Sequence, residues 1–221
     1  MNEIKSIKDF NTFDTVVVST SDRPLPEIIQ FSQSIENKAA GIDNHAFKLY
    51  WEIGRLKVIE ADKPGIVKNP FEEYLKENCY TQLLVLRPVF NYTQKDIKYM
   101  LSFVGKMGYD FLGLLCEAIR FGTEWFSKKI LGNKDFHGLW VGKGKNPKTA
   151  MCGEFCGIVD NHAFQNSDIP EGTVEGMTNE LIPYLKLDEI TPVDLVLCKF
   201  YEHIKVNLDE LRKEYNLTLK K

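Results

Sequence analysis

Long apolar runs are missing from this 221-residue chain: none is long enough to span a bilayer as a helix. The N-terminus, MNEIKSIKDFNTFDTVVV, has no apolar core and no small-residue cleavage site, so no signal peptide is predicted and a cytoplasmic location is expected. Neither sign of charge dominates, with 28 Lys and Arg against 31 Asp and Glu, interspersed, for a net charge of −3. That balance gives no phosphate-tracking surface and argues against a nucleic-acid partner. Cysteine is scarce; its five copies are an odd number in a chain long enough to do without staples, which predicts reduced thiols rather than a disulfide framework. A phosphate-cradling loop is also lacking. GKGK at 142–145 has no Gly-Lys-Ser/Thr ending before a helix and reads as a solvated loop bordering the cleft.

Apolar and aromatic residues, by contrast, are plentiful. Hydrophobic residues make up 43% of the chain and aromatics 12%, which excludes a disordered chain, and the length suits one domain with a real core. Valine-rich FDTVVVST (13–20) predicts a strand. HAFKLYW (45–51) alternates, with His45, Phe47, Leu49 and Trp51 on one face and Ala46, Lys48 and Tyr50 on the other. LKVIE (56–60) follows as another strand after a turn near Glu52–Gly54, and TQLLVLRP (81–88) is a further strong strand, ended by proline. Helices are expected at 25–37, at 69–78 with Asn69 as N-cap and Pro70 as first residue, at 93–108 opened by Thr93, at 110–131, and at 150–164. Residues 168–178 read as a loop, 191–204 suit helix or strand, and the charged tail after 208 reads as peripheral.

The pentapeptide DNHAF occurs twice, at Asp43–Phe47 and Asp160–Phe164. The first copy opens a predicted strand and the second ends a predicted helix, so the echo is not a structural repeat. It does pose a choice between histidines. Cys152 falls in the first turn of the 150–164 helix, where the partial positive charge of a helix N-terminus favours the thiolate. His162 lies ten residues along the same helix, about 15 Å away, and cannot serve that thiol as a base. His45 is free of this constraint, and its strand face points toward whatever packs on the sheet; a helix carrying Cys152 fits there. Glu60, in phase with Leu56 and Val58 on an apolar strand face, needs a partner, and the hairpin places it opposite His45 to orient the imidazole.

Base before nucleophile, by about a hundred residues, reverses the papain order. In that order the chain resembles the circularly permuted papain-like amidases of the YaeF/YiiX type, within the NlpC-type superfamily. The resemblance runs over roughly residues 13–200 through FDTVVV, NHAFKLYW, VIEADKPGIVKNPFEEYL, LRP, GKMGYDFLGLL, AMCGEFCG and TPVDL. It implies an α+β fold in which a small antiparallel sheet or partial barrel packs against the nucleophile helix. It also implies Cys152 as nucleophile, His45 as base and Glu60 as third residue, with Tyr109, Phe47 and Gly153 at the substrate pocket. Ala46-Phe47 stands where the family often has a small apolar pair, and Gly153 where it often has serine.

The expected activity is thiol-mediated hydrolysis of an amide in a small-molecule, peptide or acyl substrate, without cofactor. Alternatives are an acyltransferase or lipid hydrolase of the same fold, and a binding module that has lost activity. The spacing of Cys152, Cys156 and His162 suggests zinc only weakly, because a structural site wants four ligands and a tighter cysteine pair. Cys156, one turn after Cys152 on the same helix face, reads as packing.

Overall fold

The computed structural model describes residues 3–20, 45–76, 80–110, 149–150, 152–167, 192–198 and 200–215, together with Thr123, Ser127, Ile130 and Leu131. The helix expected at 25–37, most of that at 110–131, and the loops at 142–148 and 168–178 lie outside these residues. Among the described residues nine strands form one mixed sheet: β1 Glu3–Ile4, β2 Thr15–Thr20, β3 His45–Glu52, β4 Arg55–Asp62, β5 Gly65–Pro70, β6 Tyr80–Pro88, β7 Gly108–Tyr109, β8 Thr149–Ala150 and β9 Tyr201–Val206. Their order across the sheet is β1-β9-β6-β2-β3-β4-β5-β7-β8. Only the outermost pairs, β1 with β9 and β7 with β8, are parallel. The expected small antiparallel sheet is thus larger and mixed, because short end segments add to its margins.

Helices cover both faces: α1 Phe71–Lys76, α2 Gln94–Ser102, α3 Cys152–Gln165, α4 Pro192–Leu197 and α5 Leu208–Glu214. On one face Ala46, Ile59, Ala61, Val17 and Leu86 pack with Phe155, Cys156, Val159 and Ala163 of α3 and Leu195 of α4. On the other, Phe47, Leu49, Val58, Val16, Val18 and Val85 pack with Phe71 and Leu75 of α1 and Leu211 of α5. This explains the unbroken valine run of β2. A strand buried on both faces has no solvent side to alternate with, and Val16, Val17 and Val18 are all fully buried.

The β3–β4 hairpin turns on Ile53 and Gly54, both at positive φ (47° and 74°), so that Glu52 pairs with Arg55. Two residues in that conformation make the tight turn whose twist matches paired strands. Ile53 takes it as an almost completely exposed β-branched residue.

Four readings of the sequence are corrected. Asn69 and Pro70 do not cap a helix; they end β5, paired with Val58 and Lys57 of β4, and α1 begins at Phe71. The helix opened by Thr93 stops at Ser102, and the chain then turns through Gly105 (φ 71°) into β7. Its start is as expected: Thr93 and Asp96 form a reciprocal capping box. The 191–204 segment is both of its alternatives in succession, α4 and then β9. The charged tail is not peripheral, since Asn207 caps α5 and Leu211 is fully buried in the second core, as is Ile4 near the other terminus. Among the described residues no helix is long and apolar enough to cross a membrane.

Candidate active site

The site lies where the sheet splits. The β3–β4 ladder runs from Glu52–Arg55 to Lys48–Ile59 and ends there. Beyond it β3 stays paired with β2 as far as His45–Val18, and β4 with β5 as far as Asp62–Gly65. The first three residues of β3 are therefore unpaired on the β4 side, and the start of α3 meets them.

Cys152 is delivered there by β8. Glycine at position 65 makes this possible: a Cβ would stand 2.2 Å from the Met107 carbonyl oxygen, so only a bare backbone lets β5 pair with β7 through Gly65–Gly108. β7 then pairs with β8 through Tyr109–Ala150, and Cys152 opens the 14-residue helix just beyond. Ala150 belongs to the strand rather than to the helix expected from 150.

His45 sits at the start of β3 and Glu60 on β4. His45 Nε2 lies 2.7 Å from Glu60 Oε2. Glu60 is almost wholly buried, and its other oxygen accepts a 3.4 Å hydrogen bond from Asn69 Nδ2. The sequence suggests a helix cap for Asn69 and gives no sign of this role. The β5 register opposite Val58, two residues from Glu60, is the feature that brings it in.

The His45 ring is engaged by Glu60 through Nε2 and also interacts, by charge and by hydrogen bond, with the Cys152 thiol. Burial opposes ionisation of both groups, and each overcomes it through the other. The Cys152 thiol is pushed below its ordinary value of 9.0 despite burial, by the charge and hydrogen bond of His45 and by the backbone N–H groups of Ala46 and Gly153. His45 is raised from 6.5 to about 10 against the effect of burial, by the Cys152 thiolate and then by Glu60. Both shifts describe one state, a thiolate beside an imidazolium. The other two described thiols go the opposite way. Burial pushes Cys156 and Cys198 up to about 12.

His45, Glu60 and Cys152 come together, but not by the expected route. By alternation His45 and Glu60 share the face of Phe47 and Val58, which α1 and α5 cover, whereas α3 packs on the Ala46 face. The nucleophile helix does not lie over the histidine; it meets it at the split.

Of the pocket residues, Gly153 adjoins the sulfur through its N–H, and Tyr109 is half-buried opposite Ala150. Phe47 does not line a cleft. It is fully buried, 5.1 Å from the Tyr74 ring and 6.2 Å from that of His45, and forms a wall behind the imidazole.

The zinc spacing does not assemble. His162 turns away to Asp96, Nδ1 to Oδ1 3.0 Å, and stacks on Tyr99 at 3.8 Å, while Cys156 is sealed in the core.

No family model matches the chain, and neither does any curated protein. Among solved structures it is similar to the crystal structure of YiiX from Escherichia coli O157:H7, described as a metalloprotein. Identity is 14%, coverage 87% of this chain and 95% of that one, and the TM-score 0.50. Among the described residues of this chain, no three His, Cys, Asp or Glu side chains gather as a metal-holding group, and Nε2 of His45 is hydrogen-bonded to Glu60. What the two proteins share at this identity is a YiiX-like α+β fold.

Proposed function

We propose that the chain is a cysteine-dependent hydrolase with a circularly permuted papain-like fold, cleaving an amide through an acyl-thioester. The observation that carries this reading is His45 held between the Glu60 carboxylate and the Cys152 sulfur, with that sulfur at a helix N-terminus. The Cys152 thiolate attacks the carbonyl carbon, forming the C–S bond as the carbonyl π pair moves onto oxygen. The oxyanion is assigned to the N–H of Cys152, one of the first-turn N–H groups that a helix leaves without an intrahelical acceptor. Collapse expels the amine, which takes the proton from the His45 imidazolium. Neutral His45 then removes a proton from water as it attacks the thioester, and the sulfur leaves as thiolate. Glu60 keeps the ring in one orientation and compensates its charge; Asn69 keeps Glu60 in place.

Iodoacetamide labelling at neutral pH tests the first requirement. Cys152 should be modified well before the other four cysteines, with a pH midpoint below 9. Peptide mapping that finds Cys156 or Cys198 modified first removes the nucleophile assignment. Hydrolysis is tested by acid-quenching the protein during turnover of an activated acyl substrate, where the acyl mass should reside on Cys152.

A further inference from the structure

Two turns below Cys152, α3 carries Asp160 into a buried polar cluster that the proposed chemistry does not use. Lys48, on β3, is completely buried. Its Nζ, with three N–H donors, lies within hydrogen-bond reach of four oxygens: Asp160 Oδ1 and Thr15 Oγ1, both at 2.5 Å, Tyr92 Oη at 3.2 Å and the Phe13 carbonyl at 3.3 Å. Asp160 also accepts from Tyr201 Oη at 2.6 Å, from Thr15 Oγ1 at 3.4 Å and from Tyr92 Oη. The cluster thus joins α3 to β2, β3, β9 and the segment before α2.

Stability is a poor reason for it. Desolvating a carboxylate and an ammonium offsets most of their attraction, and apolar residues of similar volume commonly do as well or better. Directionality is what the pair adds. The contacts of Phe155, Cys156 and Val159 with Ala46 and Ile59 are non-directional and tolerate a slide of the helix along the strand. A slide of one residue moves Cys152 by about 1.5 Å, enough to break its hydrogen bonds to His45 and Ala46.

Cys152, Cys156 and Asp160 form one buried stripe at i, i+4 and i+8 on α3, about 12 Å long. On β3 their counterparts share a face two residues apart: Ala46, whose N–H meets the sulfur, and Lys48, whose long side chain reaches Asp160. Helix and strand are therefore tied at two points, one being the reactive thiol.

We propose that Lys48 and Asp160, braced by Thr15, Tyr92 and Tyr201, are positioning residues that set the height of α3 along β3 and so hold Cys152 against His45. This rests on the reading of Cys152 and His45 as nucleophile and base.

The test is the pH profile of Cys152 alkylation in the full chain, measured for the parent, His45→Ala, the double variant Lys48→Met/Asp160→Leu, and Tyr201→Phe, with thermal melting alongside. The double variant removes both charges together. It leaves the Thr15, Tyr92 and Tyr201 hydroxyls without their charged partners and so should melt below the parent, yet where folded it should alkylate about tenfold more slowly at pH 7 or worse, with its midpoint displaced upward toward that of His45→Ala. A folded double variant with the parent's rate and midpoint overturns the proposal. If the double variant does not fold, Tyr201→Phe decides: an upward displacement supports the proposal and an unchanged midpoint overturns it. If His45→Ala itself leaves the midpoint unmoved, the thiol–imidazole reading has failed and the positioning role falls with it. If His45→Ala moves the midpoint and the cluster variants do not, the positioning role alone is lost.

Discussion

The same three residues, histidine, alanine and phenylalanine, stand at 45–47 and at 162–164, and each histidine is hydrogen-bonded to a buried carboxylate. His45 lies 2.7 Å from Glu60 and His162 3.0 Å from Asp96, and the two imidazoles are similarly exposed, 23% and 31%. What differs is the far side of each ring. His45 meets a thiol at the N-terminus of α3, whereas His162 meets the face of Tyr99. A histidine–carboxylate pair is thus not in itself a catalytic feature; at His162 the carboxylate is the Asp96 whose other oxygen belongs to the capping box at the start of α2. Period also separates the copies. In a strand, position 45 is separated in facing from 46 and shares its side with 47. In a helix, Asp160 and Ala163 turn inward together while His162 turns out.

The comparison predicts unequal consequences for matched substitutions. The largest is at His45. His45→Ala should lower hydrolysis by about 10²–10⁴-fold, the range of a lost general base. It should also displace the Cys152 alkylation midpoint upward, because burial then opposes the thiolate with only the N–H groups of Ala46 and Gly153 against it. A parent-like midpoint in this variant would erase the distinction between the two copies.

Glu60 comes next. Glu60→Gln keeps an acceptor of nearly the same shape, and kcat should fall less than in His45→Ala, by about two powers of ten. Glu60→Ala should cost more than Glu60→Gln, since the imidazole N–H then lacks its partner. Equal losses for the two would show that the charge, not the orientation, is what Glu60 supplies.

Asn69→Ala removes a single 3.4 Å hydrogen bond to Glu60 and should lower kcat about tenfold or less, leaving the alkylation midpoint of Cys152 near that of the parent. A loss equal to that of Glu60→Ala would make Asn69 a full partner of the carboxylate.

The smallest effect belongs to His162→Ala. It should leave the Cys152 profile unchanged and cost about 1–3 kcal/mol of stability, because the buried Asp96 carboxylate loses a hydrogen bond and Tyr99 its stacking partner. A displaced thiol midpoint would mean that both copies act on one site.

Much of this was legible before the fold. His45, Glu60 and Cys152 could be selected because each broke a local pattern: a histidine and a carboxylate on apolar strand faces, and a thiol at a helix start. Asn69 was not legible, because Asn-Pro before an amphipathic stretch is also a good helix start, and pairing with β4 overrode the local preference. Nor was the burial of Lys48. A lysine alternating with apolar neighbours reads as the solvent face of a strand, and its partner Asp160 is 112 residues away.

The sequence by itself determined the strands of the β2–β3–β4 region, the opening of α2 at Thr93, the start of α3 near Cys152 and the elimination of His162, all of which follow from periodicity and capping within a few residues. Tertiary structure decided the rest. It placed α3 on the Ala46 face rather than over His45, opened the sheet between β3 and β4 so that thiol and imidazole meet, and brought Asn69 to Glu60 and Lys48 to Asp160. The physical reason is that alternation assigns a residue to a face of its strand but does not say which helix covers that face. That choice is made by contacts and hydrogen bonds between segments far apart in the chain.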